Sequence, residues 1–262
     1  MWVYNVPDLL LALLFVAGIE TIALVGLALA RRFVQPRLRY HDGVNDAVSG
    51  TVQAIGVFYG ITVGLIAVGV WTTYSNASDL VSLEAAAIGS LYRVLNSFPE
   101  PARTELRTQL RDYTLAIIGQ DWPAQRQGQV SNASALILDK FEATLMSVEP
   151  VSVGQQARYA ETLSAFDRLN LQRRLRIDAV EGGLSGVMWG VIWIGAAISI
   201  GVGYFFYIED VKLHAIMISL MAGFLGIVLF LIVVNDRPFE GDYSINASSY
   251  QLIVDTVMNV SQ

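Results

Sequence analysis

Apolar residues crowd into four windows of this chain: residues 9–30, 52–71, 187–208 and 213–234. Each is close to the roughly 20 residues that a helix needs to cross a bilayer core about 30 Å thick. Glu20 and Thr21 are the only breaks in the first window. The other three contain no Asp, Glu, Lys or Arg, and the fourth has His214 near its start. Between the second and third windows the pattern changes to the mixed polar and apolar spacing of helices that face water on one side. Leu80, Leu83, Ala87, Leu91 and Leu95 predict a helix over 79–98 that continues the second span. Pro99-Glu100-Pro101 stops it, because proline lacks an N–H and constrains the residue before it. Leu106, Leu110, Tyr113 and Ile117 predict a helix over 102–118. Trp122-Pro123 and Gly128 read as a loop, and two further helices are predicted over 133–148 and 155–180. No stretch alternates as a strand would. The fold class is therefore all-α: a polytopic membrane protein with four transmembrane helices and a helical extramembrane domain between the second and third. The organisation is 1–75 for two spans and a basic loop, 76–181 for the helical domain, 182–235 for two spans, and 236–262 for a tail.

Composition sharpens this picture. Hydrophobic residues make up 54% of the 262 residues, only modestly above the roughly 45–50% of ordinary domains, so the information lies in the clustering. The N-terminus carries no Lys or Arg before a long apolar run that ends in Arg31-Arg32, which predicts a retained helix rather than a cleaved leader. Trp2 and Tyr4 suit an aromatic anchor at the interface. Cysteine is absent, excluding disulfides and thiolate chemistry, and the net charge of -6 argues against nucleic acid as a partner. The lipid bilayer is the implied partner, and the chain reads as a multi-pass protein of a cell membrane, a bacterial inner membrane in particular. Arg173, Arg174 and Arg176 precede the third span and are expected near the headgroups. Arg31, Arg32, Arg37 and Arg39 form a short basic loop, and the positive-inside bias of short loops places that loop in the cytoplasm and the helical domain outside.

Candidate chemistry is sparse. Glu20 lies near the middle of a span, where an ionisable group is costly and marks a functional site by default. It is read either as a pore or proton-relay carboxylate or as a neutral acid capped by a neighbouring helix. Gly56, Gly60 and Gly64 form one stripe on the second span. Such a stripe lets another backbone approach closely. The sharper alternative is that this helix lines a pore, with Phe58 and Tyr59 at its narrow part, since apolar constrictions gate by dewetting. Gly182, Gly186 and Gly190 repeat the spacing before and into the third span. In the tail, Asp236, Glu240 and Asp242 cluster around Pro238-Phe239. Calcium takes six to eight oxygens, so three carboxylates are too few by themselves, and a solvated turn whose Pro238 and Phe239 dock on the helical domain is the plainer reading. No cofactor is called for, calcium being the one the turn could serve. His41 and His214 are too few for a zinc site, and both are expected to be solvated. Phosphate-loop, HExxH and GxSxG motifs are missing, and Ser199 and Ser219 lack a partner base, so an enzyme is not expected.

A series of short segments adds a resemblance. His41-Asp42-Gly43-Val44-Asn45-Asp46 precedes a glycine-containing span ending in Trp71-Thr72-Thr73-Tyr74. Glu84-Ala85 leads to Leu91-Tyr92-Arg93 and Pro99. Leu110-Arg111-Asp112-Tyr113, Asp121-Trp122-Pro123, Gln172-Arg173-Arg174 with Trp189, and Asp236-Arg237-Pro238-Phe239-Glu240-Gly241 follow in order. This order resembles the bestrophin-like family of bacterial and plant membrane proteins and covers most of the chain. Gly190 beside Trp189 departs from it, since many relatives place a proline there. The resemblance implies similarity to bestrophins, which are pentameric anion channels with four spans per subunit, an aromatic neck on the second span and the large domain in the cytosol. Animal members clasp calcium with a Pro-Phe-acidic segment after the fourth span; the longer acidic run of that clasp is missing here. The expectation is a homo-oligomeric channel, a pentamer by analogy, passing small anions along the second span. A non-conducting signalling or scaffold protein and a proton-coupled transporter using Glu20 are the alternatives.

Overall fold

A computed structural model describes residues 8–38, 43–241 and 243–259. Among these residues there is no strand. The expectations placed on Trp2, Tyr4, Arg39, His41, Asp42 and Asp242 fall outside the described residues. The chain divides into two compact units, residues 2–73 with 183–236 and residues 74–182 with 237–262.

The first unit holds α1 (Asp8–Leu29), the first part of α2 (Val44–Val94), α7 (Gly186–Gly203) and α8 (Val211–Asp236). Among the described residues, four helices are long and apolar enough to cross a membrane. Helix is the form these sequences must take in lipid, where no water is available to satisfy backbone N–H and C=O groups. Most of their large side chains face outward, as lipid-facing positions do, and Ala23, Leu27, Val63, Ile192, Ile218, Ala222 and Leu229 make the inner seam. Small residues set the closest approaches. A Cβ on Gly226 would stand 3.1 Å from the Val16 Cα, so α1 and α8 meet backbone to backbone there. The third span ends at Gly203, five residues short of the predicted 208. Beyond it, the carbonyls of Tyr204 and Phe206 accept from the Gln35 side-chain amide at 3.0 and 3.3 Å, and Asn45 binds both the N–H and the C=O of Tyr207. Side chains of the 31–51 loop thus take up backbone groups that a longer helix would have satisfied internally.

The second unit contains the rest of α2, then α3 (Ala102–Ala116), α4 (Trp122–Gln125), α5 (Ala133–Met146), α6 (Val153–Val180) and the tail helix α9 (Ser248–Ile253). Its core is larger and includes Ile88, Leu91, Leu106, Leu110, Phe141 and Leu169. α6 begins with a capping box, Ser152 and Gln155 bonding each other's backbone, which satisfies two of the open N–H groups of its first turn. Trp122-Pro123 is helical rather than a loop. A wide turn over Ile117–Asp121 carries α3 directly into α4, and proline is at home in a first helical turn because its missing N–H has no partner there. The tail belongs to this core: Phe239 packs edge-on against Trp122, the ring centroids 5.9 Å apart, and the Trp122 indole donates to the Ile245 carbonyl at 3.1 Å.

Candidate functional site

Side chains on a helix advance by about 100° per residue, and α2 within the first unit divides accordingly. Tyr59, Val63 and Val70 are buried along one side. Val57, Ile61, Leu65 and Val68 lie on the opposite side and are exposed, and the stripe of Gly56, Gly60 and Gly64, on one flank of the buried side, is exposed as well. Among the described residues the glycine stripe does not pack against another helix, since a Cβ at any of the three would have nothing within 4 Å. The result is a broad, uncharged, open face.

The aromatic pair is split by this geometry. Phe58 is 73% exposed, on the open side, whereas Tyr59 is 9% exposed and turned inward. The Tyr59 hydroxyl donates to the Ile192 carbonyl of α7 at 2.9 Å, and its ring occupies the space left by the missing side chain of Gly195. Tyr59 therefore fixes the rotation of α2 against α7, and of the pair Phe58 alone stays exposed.

Glu20 sits half-buried on α1 over Gly223 of α8, where a Cβ would stand 2.8 Å from its Oε1. No hydrogen bond or ion pair to it occurs among the described residues. Of the tail carboxylates, Asp236 accepts from the Leu184 N–H at 2.6 Å in the first unit. Glu240 stands 3.9 Å from Arg237 in the second unit, its carboxylate against Gly128, whose positive φ of 71° admits little but glycine. Among the described residues no group of three His, Cys, Asp or Glu side chains is arranged to hold a metal.

Two expectations are corrected. His214 is not solvated: it is 1% exposed, with Nε2 3.1 Å from the Gly203 carbonyl and Nδ1 3.3 Å from Arg31, which also donates to the Ile208 carbonyl at 3.0 Å. An Nδ1 that accepts from a guanidinium leaves Nε2 to donate to the carbonyl, the neutral tautomer. Arg176 does not sit among headgroups: it is fully buried in the second unit and pairs with Glu84 of α2, also fully buried, Nε to Oε2 at 2.5 Å. The Glu84 carboxylate further accepts from the hydroxyls of Tyr113 (2.8 Å) and Tyr250 (2.9 Å). Burial, and next the Glu84 charge, push both phenols well above their usual range. Burial, the largest single effect, lowers the Arg176 guanidinium, but Glu84 together with Tyr250 and Tyr113 outweighs it and the net direction is upward. Sequence reasoning noted Glu84 and Arg176 separately. The detectable signal was a Glu at an apolar-face position of a helix, four residues before Ile88, which called for an internal partner.

The chain matches the Bestrophin-like domain family over residues 17–250. It is similar in fold to the crystal structure of a bacterial bestrophin homologue from Klebsiella pneumoniae bearing a leucine-to-threonine substitution, with TM-score 0.69 and 10% identity over 95% of this chain and 98% of that one. It is also similar to the crystal structure of a membrane protein with a proline-to-alanine substitution, with TM-score 0.67 and 10% identity over 93% and 97% of the two chains. At this identity the likeness is one of fold. No curated protein matches the chain.

Proposed function

Since this chain belongs to the bestrophin-like family, we propose that it is the subunit of a homo-oligomeric channel that passes small anions, with the open face of α2 turned to the shared axis. The observation that carries this reading is the division of α2: one side bound to its own subunit through Tyr59, the rest uncharged and exposed, with Gly56, Gly60 and Gly64 on one flank of Tyr59 and Phe58 on the other. Copies arranged around an axis would enclose such faces as a narrow apolar lumen, with Phe58 forming a ring that gates by dewetting. No basic residue lies in the apolar part of any span, so preference for anions would come from backbone and helix-end dipoles.

Anion efflux from proteoliposomes containing the purified protein tests the reading. Wild-type protein is expected to give flux above empty liposomes. Phe58→Ala is expected to change that flux without unfolding the subunit. Tyr59→Ala is expected to lower stability first, since it removes an interhelical hydrogen bond worth about 1 kcal/mol and empties the space beside Gly195. Absence of flux from an assembled, folded sample would remove the channel reading. It would favour a non-conducting signalling or scaffold protein, for which α2, unbroken over 51 residues, is the supporting feature. Uptake driven by an imposed pH gradient and abolished by Glu20→Gln would favour a proton-coupled transporter instead.

A further inference from the structure

A cavity of about 430 Å³ opens in the first unit between Leu38, the first turns of α2 (Val44, Ala47, Val48) and the end of α7 (Val202, Phe205). That volume is within the range of small-ligand sites, and the walls are apolar. The Thr51 hydroxyl, the one side-chain polar group of the wall among the described residues, is turned back to the Ala47 carbonyl at 3.0 Å. An uncharged hydrocarbon segment is what such a space accepts.

The rim is charged. Residues 31–38 contain Arg31, Arg32 and Arg37 and no acid. Arg31 is committed to the carbonyls and the histidine of the α7–α8 connection. Arg32 lies 5.4 Å above the Phe33 ring, and Arg37, next to the cavity residue Leu38, donates to the Phe33 carbonyl at 2.5 Å. Both guanidinium groups are exposed, and no carboxylate pairs with either among the described residues. The acids of the neighbouring segments, Asp46, Glu209 and Asp210, are not so placed, and Asp210 instead caps α8 by accepting from the Lys212 N–H at 2.8 Å. The rim is also fixed in position: Gln35 and Asn45 pin it to the backbone of residues 204–207.

We propose that this is a binding site for an anionic phospholipid, its phosphate on Arg32 and Arg37 and one acyl chain in the cavity. Two cations at the end of a membrane span attract an anionic headgroup, each contributing on the scale of a polybasic contact, and the adjoining apolar space supplies what a free phosphate ion could not use.

The test uses the full chain in detergent and reads lipid retention by native mass spectrometry. It is titrated with phosphatidylglycerol, with phosphatidylcholine of the same acyl chains, and with inorganic phosphate. Wild-type protein is expected to retain phosphatidylglycerol preferentially. The Arg32→Gln, Arg37→Gln pair is expected to bind it about 30-fold more weakly, while Arg168→Gln, an exposed arginine of the other unit, is expected to bind as wild type. Ala47→Trp fills the cavity without altering charge and is expected to weaken retention as well. Equal retention of phosphatidylcholine, equal binding of inorganic phosphate, or an Ala47→Trp variant with undiminished retention would each overturn the proposal. A change of oligomeric mass in Ala47→Trp with lipid retention intact would assign the cavity to a neighbouring copy instead.

Discussion

Glu84 and Arg176 are separated by 92 residues of chain and meet fully buried, with two tyrosine hydroxyls completing the carboxylate's shell. A buried pair of this kind adds little over a well-packed apolar pair, because desolvation offsets most of the attraction, but removing one partner leaves an uncompensated charge. Arg176→Met is therefore expected to destabilise the protein by about 3–5 kcal/mol, and so is Glu84→Leu. The double substitution is expected to recover most of that loss. Thermal unfolding of the three variants checks this, and additive losses in the double variant would show that the two side chains do not act as a pair. At this scale the warning legible in the sequence is partial. Glu84 stands where the apolar side of α2 should run, a position that needs a partner, yet nothing in the local pattern indicates that the partner is Arg176 rather than Arg173 or Arg174. The choice depends on which face of α6 meets α2, and that is a property of packing.

Glycines distinguish two kinds of helix surface in the membrane unit. On α8, Gly226 lies against the Val16 backbone, and a side chain there must displace α1. On α2, Gly56, Gly60 and Gly64 face open space. Gly226→Val is accordingly expected to cost about 1–3 kcal/mol, the usual range for overpacking, and to lower the melting temperature in detergent. Gly60→Val is expected to leave melting unchanged and, if the open face of α2 lines the lumen, to reduce anion flux. A Gly60→Val variant that melts early would show that the stripe packs within the subunit after all. Spacing alone could not separate these cases, because a stripe of small residues looks the same on paper whether or not a second helix covers it. Tyr59 and Phe58 make the same point: adjacent aromatics read as one feature, but a rotation of about 100° sends one into the bundle and leaves the other outside.

For the whole molecule, the open face of α2 carries the proposal that single copies are incomplete. Purified protein is expected to run as one closed homo-oligomer, a pentamer by analogy with bestrophins, when its mass is measured by light scattering corrected for detergent. A monodisperse monomer would turn the reading towards the non-conducting alternative.

Hydrophobic clustering by itself determined the four spans and the all-helical class, because in a bilayer the backbone must satisfy its own hydrogen bonds and a run of about 20 apolar residues leaves no other solution. Periodicity likewise determined the amphipathic helices α3, α5 and α6 to within a few residues. It failed where local sequence and distant partners compete. The third span stops at Gly203 because Gln35 and Asn45 bind the following backbone, and Trp122-Pro123 joins a helix because the turn before it continues from α3. Docking of Phe239 on the helical domain was legible beforehand, whereas the inward turn of Tyr59, the burial of His214 and the pairing of Glu84 with Arg176 were decided only by the tertiary structure. Each is a contact between segments far apart in the chain, and such contacts depend on which faces of the helices meet, which no local pattern of residues encodes.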